Sequence, residues 1–360
     1  MGIQSSIPTL ERNGAVWLAG EASGDFIASL VIPEVAARMG GAPQYGVGGD
    51  KMRAAGFRAW YDSRELSVRG YVEVLTHLPR LLSFRKDLIT RFGDSMPQVF
   101  VGVDAPDFNL AVEEKLRRRG VPTVHFVSPS IWAWRPERIQ TIRRAVDHML
   151  LVFPFEQEIY RKAGVPATFV GHPLAGIIPM TPDTAGARRS FGIGDDGLPV
   201  ITVMPGSRVD EQARTRILQV ASMYPRLAQA MQIVTGESHR TIEAADAVLV
   251  ASGTAALECA LYKKPMVVGY KMPALTGMIM QKKALIHCVS LPNILLGENV
   301  VPEFLQFFCE PDPISYALED ALQNEARRRM LEERFSAMHE SLIAETPALA
   351  ADVIMSVARS

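Results

Sequence analysis

Excess charge, clustered sulfur and unbroken hydrophobicity are all scarce in this 360-residue sequence. Lys and Arg number 38 against 39 Asp and Glu, a formal net charge of −1, so no global basic field favours a nucleic-acid partner. The three cysteines, Cys259, Cys288 and Cys309, lie far apart without ligand spacing. That excludes a disulfide framework and a zinc cluster, and points to a reducing compartment. No uninterrupted apolar run is long enough to span a bilayer, and the N-terminus lacks the basic start and hydrophobic core of a signal peptide. The opening MGIQSS fits the myristoylation pattern at Gly2 and Ser6, but so short a match reads as a tail. There is no HExxH, no carboxylate pair with metal spacing, no repeat and no low-complexity tract; neither a metal nor another cofactor is expected.

What remains is alternation. Val16–Ala19, Val99–Val103, Thr123–Val127, Met149–Phe153 and Thr168–Val170 are short apolar runs separated by helical stretches or loops. A second series follows at Val200–Met204, a weaker Gln232–Val234, Ala247–Val250 and Met266–Val268. Between them residues 171–199 are dense in Pro and Gly, as a hinge would be. The expectation is an α/β chain of two Rossmann-like doubly wound domains facing a cleft. The boundaries read as 1–178 and 179–340, with 341–360 a terminal helix that crosses back or is exchanged in a homodimer.

The segment 245–261, ADAVLVASGTAALECAL, carries the most chemistry. A buried strand feeds a helix through Ser252, Gly253 and Thr254, so free backbone N–H groups and a helix dipole meet where a diphosphate would sit. Glu258, one turn in, is placed to accept hydrogen bonds from a ribose diol, and the combination suggests a nucleotide-sugar site; the bland alternative is an ordinary βα turn with a surface Glu. PGSR, ending the strand at 200–204, adds Ser207 and the planar cation Arg208 at the same sheet edge. The first strand ends in AGEASGD, which is not GxGxxG and disfavours a nicotinamide cofactor. Ser23, Gly24 and Asp25 either contact ligand there or, through Ser23 or Asp25, cap the helix. Asp104 in VFVGVDAPDFN stands where the apolar run stops and could take the proton from an attacking sugar hydroxyl. Asp107 competes for that role, and Asp104 could instead cap the turn. Trp132 and Trp134, beside Arg135 and Arg138, either stack on a sugar or acyl chain or pack beneath their loop. His125 reads as structural. Between Glu65 and Phe92, Val74, Leu75, Leu78, Leu81, Leu82 and Leu88 recur at helical spacing among Arg80, Arg85, Lys86 and Arg91. That segment lies on an anionic membrane or forms a core helix with a basic face, and Pro79 is expected to break any long regular helix.

Taken together, AGEASGD (19–25), YVEVLTHLPRLL (71–82), VFVGVDAPDFN (99–109), HFVSPSIWAWR (125–135), FPFE (153–156), VGHPLA (170–175), PGSR (205–208), ASGTAALE (251–258), PMVVGYKM (265–272) and VSLPN (289–293) resemble the lipid-A-disaccharide synthase family. The resemblance implies a GT-B glycosyltransferase that joins UDP-2,3-diacylglucosamine to 2,3-diacylglucosamine 1-phosphate (lipid X), forms the β-1,6 disaccharide and releases UDP. It implies Asp104 as the base for the acceptor hydroxyl, Arg208 and Ser252–Thr254 at the UDP, Glu258 at the ribose, and Asn293 and Gln306 near the donor. Metal-independent chemistry is implied as well, and no DxD motif is present. So is a peripheral position on the cytoplasmic face of the inner membrane, which raises the membrane reading of 65–92. One departure stands out: between PGSR and SGTAALE the family carries one more βα unit, of roughly 30 residues, near 227–231. Losing it would expose neighbouring strands and unsettle the base pocket. A UDP-GlcNAc 2-epimerase-like enzyme and a non-catalytic UDP-binding variant are the alternatives.

Overall fold

A computed structural model describes residues 13–66, 71–194, 197–206, 211–251, 253–273 and 285–359, with backbone alone for 71–78. The chain forms two compact units, Met1–Gly176 with Leu342–Ser360, and Ile177–Ser341.

The first unit is built on seven parallel strands: β1 (Ala15–Ala19), β2 (Gln44–Gly48), β3 (Arg58–Asp62), β4 (Val99–Val103), β5 (Thr123–Phe126), β6 (His148–Leu151) and β7 (Ala167–Phe169). Their order is β3-β2-β1-β4-β5-β6-β7, so the winding reverses between β1 and β4. At such a reversal the connections leave to opposite faces and open a crevice at the carboxyl ends of the strands. The register is level there, with Ala19 opposite Val103, which sets Gly20 and Asp104 side by side beyond the sheet. All five residues of both β1 and β4 are buried, as strands covered on two faces must be.

Four helices matter for the site: α1 (Ala22–Arg38), α2 (Asp50–Ala54), α3 (Tyr71–Ser95) and α4 (Pro106–Arg117). Between α3, α4 and the sheet, Val16, Leu18, Tyr45, Leu88, Phe92, Phe100, Val112 and Leu116 form one apolar cluster. Trp60 stacks on Tyr45 there at 4.5 Å between ring centroids. The expected break at Pro79 does not occur, since α3 runs through it. One proline costs a single ladder bond and a local clash, about 3 kcal/mol, and the fully buried Leu88 and Phe92 anchor the helix beyond it. Leu88 is therefore core. Leu82 is 45% exposed.

The segment Glu325–Ala358 is long and apolar enough by composition to cross a membrane, which the reading of uninterrupted runs did not foresee. It is two helices, Glu325–Leu342 and Thr346–Ala358, parted at 343–345. The second packs on α1 and strands β4–β6. Its Ala350, Ala351 and Ile354 are fully buried, and Arg38 of α1 pairs with Asp352.

Among its described residues the second unit holds four parallel strands, β8 (Ile201–Met204), β9 (Ala247–Val250), β10 (Met266–Tyr270) and β11 (Glu303–Leu305), in the order β11-β10-β9-β8. The expected strand at Gln232–Val234 is not formed. Among the described residues no strand offers it a ladder, and Ile233 is 41% exposed. β8 is consequently an edge strand with Ile201 and Val203 45% and 57% exposed. An apolar edge of this kind invites pairing with other chains. Replacing both residues by Lys is expected to reduce light scattering on concentration while shifting unfolding free energy by less than about 0.5 kcal/mol; a loss beyond about 2 kcal/mol in a denaturant titration would mean that something covers this edge.

Candidate functional site

Asp104 follows β4 directly, and Pro106 opens α4 two residues later. A proline at that position starts a helix without losing a hydrogen bond, but it also pushes the preceding residue out of the helical region. The chain turns here with Asp104 at φ 55° and Ala105 at φ 44°, two left-handed non-glycine residues in succession. Each costs of order 1–3 kcal/mol and persists only where its surroundings fix it. The Asp104 amide donates to the Phe126 carbonyl at 2.9 Å. The Ala105 amide donates to Asp104 Oδ1 at 2.9 Å, and the Ser23 hydroxyl to Asp104 Oδ2 at 2.9 Å. The carboxylate is thus half-buried and oriented, with Oδ2 on the side of an exposed serine.

Gly24 makes this approach possible. A Cβ at Gly24 would lie 3.0 Å from the Val103 carbonyl, so a larger residue would push the first turn of α1 away from β4. Asp25 turns elsewhere. It is 6% exposed, and its two oxygens accept from the amides of Gly49, Lys51 and Met52, tying down the start of α2. Neither Ser23 nor Asp25 is the N-cap of α1, which is Glu21.

Trp132 is half-buried. Its indole N–H donates to Glu156 Oε1 at 3.1 Å and its ring meets Phe155 edge-on at 5.3 Å. Burial pushes the Glu156 carboxyl up to about 7, against hydrogen bonds from Trp132 and Ser128 that lower it. Trp134 lies under the Arg135 guanidinium at 4.1 Å, and Arg138 pairs with Asp107, which leaves Asp107 engaged away from Asp104. Along α3 a cavity of about 540 Å³ is lined by Arg80, Leu81, Phe84, Asp87 and Arg91 among others. The side chains of Val74, Leu75 and Leu78 lie outside the described residues.

In the second unit the turns after β8 and β9 adjoin. The Ala251 amide donates to the Met204 carbonyl at 3.0 Å, and a Cβ added at Gly206, whose φ is 101°, would lie 4.0 Å from the Ala251 methyl. Gly253 occupies φ 125°, ψ −155°, a region open only to glycine, and caps the helix Thr254–Leu261 with no side chain over it. Gly253 and Thr254 are exposed residues at the start of that helix, where the first backbone amides have no carbonyl one turn back to bond. Ser207, Arg208 and Ser252 lie outside the described residues. Glu258, one turn along, sits 3.5 Å from His239, and burial pushes its carboxyl up to about 7. Asn293, 1% exposed, exchanges hydrogen bonds with Val301 and donates to Glu303. Gln306, at φ 52°, clamps the backbone of Met272 with both ends of its amide.

The structure brings Ser23, Gly24 and Asp104 together in one unit, and Gly206, Gly253, Thr254 and Glu258 at one sheet edge in the other. Asn293 binds within the segment that leads to β11, and Gln306 ties the end of β11 to the chain after β10. Missed from sequence were Asn109, Glu113 and Glu156, whose partners come from distant strands and loops. For Asn109 and Glu113 the signal was a polar pair four residues apart on the helix after Asp104; Glu156 offered none. Among the described residues no group of three or more His, Cys, Asp or Glu could hold a metal ion.

The two-unit α/β architecture is that of the GT-B glycosyltransferases. The Arabidopsis thaliana protein UGT89C1, solved with UDP, matches with a TM-score of 0.62 at 11% identity, over 96% of this chain and 99% of that one. The glycotransferase of kitacinnamycin matches with a TM-score of 0.61 at 15% identity, over 96% and 98%. Within that class, a family model described as lipid-A-disaccharide synthetase matches residues 16–231 and 209–354. A lipid-A-disaccharide synthase of Cupriavidus pinatubonensis is 46% identical over 382 positions, 97% of this chain and 94% of that one. The chain belongs to the lipid-A-disaccharide synthase family and is a hexosyltransferase. The aligned stretch is longer than the chain's own 360 residues, so gaps must open in this chain to accommodate that relative.

Proposed function

We propose that the chain condenses UDP-2,3-diacylglucosamine with 2,3-diacylglucosamine 1-phosphate, forming a β-1,6-linked disaccharide phosphate and UDP with inversion at the donor carbon. The observation that carries the reading is the Asp104 carboxylate, held at the strand-order reversal with Oδ2 turned to Ser23. Asp104 takes the proton of the acceptor 6-hydroxyl as its oxygen attacks the anomeric carbon. The bond to UDP breaks on the opposite face, and no covalent enzyme intermediate forms. The open amides at Gly253 and Thr254 and the positive end of their helix favour the diphosphate as its charge grows, with Arg208 as the planar cation beside it. Glu258 accepts from the ribose hydroxyls.

The enzyme would work on the cytoplasmic face of the inner membrane, where acylated substrates reside. Exposed Leu82 and half-buried Leu81, flanked by Arg80, Arg85 and Lys86 on α3, suit an anionic lipid surface.

Asp104→Ala is expected to lower kcat by about a hundred- to ten-thousand-fold in a radiolabelled-donor assay, with UDP affinity intact; near-normal turnover would sink the base assignment. For Glu258, the folded value of about 7 stands above the ordinary 4.5. The folded state therefore holds this proton longer, and its contribution to stability falls as pH rises through that window. A diol donates best to the ionised form, so UDP should bind about fivefold more tightly at pH 8 than at pH 6. Glu258→Gln should leave only the change that the nucleotide's own ionisation causes, and an unaltered pH profile would refute the ribose role. Leu81→Ser with Leu82→Ser should weaken co-sedimentation with phosphatidylglycerol vesicles at unchanged melting temperature; undiminished binding would remove α3 from the membrane.

A further inference from the structure

We propose that Asn109 is a positioning residue for the reaction, holding the Asp104 turn through three backbone carbonyls; this rests on the reading of Asp104 as base. Asn109 lies on α4 and is fully buried. Its Nδ2 donates to the carbonyls of Asp104 at 2.7 Å, Val103 at 3.2 Å and Leu18 at 3.2 Å. The reverse amide orientation would set an oxygen against three oxygens, so the nitrogen belongs there. One side chain thus joins the ends of β1 and β4 at the strand-order reversal.

The bond to the Asp104 carbonyl bears directly on the carboxylate. That carbonyl shares a peptide plane with the Ala105 amide, which donates to Asp104 Oδ1. Fixing the plane aims the amide at Oδ1 and leaves Oδ2 for Ser23 and a substrate proton. The Asp104 amide is already held by Phe126, so Asn109 closes the other side of a turn whose two left-handed residues would otherwise relax.

Packing alone does not call for polar groups at this place. Asn109 Oδ1 is buried without a hydrogen-bond partner. One turn along α4, fully buried Glu113 meets His125 Nδ1 at 2.7 Å, yet Glu113 Oε2 and His125 Nε2 are also unpartnered. Gly102 makes room for that carboxylate, since a Cβ there would lie 2.1 Å from Glu113 Oε1. Apolar side chains of similar volume would avoid all three penalties. A polar face of α4 under the Asp104 turn, kept at a cost in stability, fits a role in holding the turn.

The test is a double-mutant cycle read by kcat and KM. Asn109→Ala should lower kcat about 30- to 100-fold with KM for both substrates within about threefold. Asn109→Ser, which keeps one donor and packs less drastically, should recover part of that loss and covers the case in which the alanine variant fails to fold. Circular dichroism and UDP calorimetry check the folding of each. In the Asp104→Ala background the Asn109 substitution should cause no further loss, because its effect passes through Asp104. An equal fold-loss in both backgrounds, or wild-type kcat in a folded Asn109 variant, overturns the positioning role alone. Full activity of Asp104→Ala by itself overturns the base assignment, and the positioning role with it.

Discussion

The turn from β4 into α4 is the constraint on which the first unit depends. Two successive left-handed residues have no local reason to form; the alternative of a relaxed helix start is always available to the chain. They form because the buried strands on either side leave no other path. β1 and β4 run level, Phe126 on the next strand takes the Asp104 amide, and the polar face of α4 takes the carbonyl. A carboxylate that would wander on a surface loop is thereby given one direction. The strain is local and the apolar burial that sustains it is spread over the whole sheet.

The second unit works by the opposite principle. Its site is an opening, with glycines at Gly206 and Gly253 and a helix whose first amides carry no side-chain cap. On the proposed reading such a surface favours negative charge on an incoming group, with Arg208 beside it. Glu258, one turn along that helix, has its carboxyl pushed up to about 7 by burial. The first unit holds the Asp104 carboxylate in one direction, and the second presents Gly253 and Thr254 exposed at the start of a helix.

How much of this could be read from sequence follows from where each signal resides. Apolar runs marked β1 and β4 through β10; for β1, β4 and β5, buried at every position, this is because strands covered on both faces are hydrophobic throughout. β11 (EFL) escaped notice, as did β2 and β3, with sequences QYGVG and RAWYD. The latter two are strands because β1 offers β2 a ladder and β2 in turn offers one to β3, and that information sits in another part of the chain. Gln232–Val234 shows the converse, a passable strand sequence with nothing to pair with. At the site, Asp104 was legible as the residue at which an apolar run stops, and Gly253 as the glycine of a βα turn. The Ser23 contact, and the engagement of Asp25 with α2 in place of a cap, depend on how two segments meet, and spacing within either one is silent about that. Pro79 misled because a propensity of about 3 kcal/mol was weighed without the core burial on the far side of it.

The helix Thr346–Ala358 completes the first unit although the whole of the second precedes it in the chain. On a ribosome, the apolar side of α1 and the strands β4–β6 would wait uncovered while residues 177–341 are made. The second unit has all its strands from one continuous stretch and can close on its own schedule. Synthesis order and folding order are thus inverted between the two halves, and the last interface to form is the one behind α1. A chaperone meeting this protein during synthesis would find its longest-lived exposed surface there.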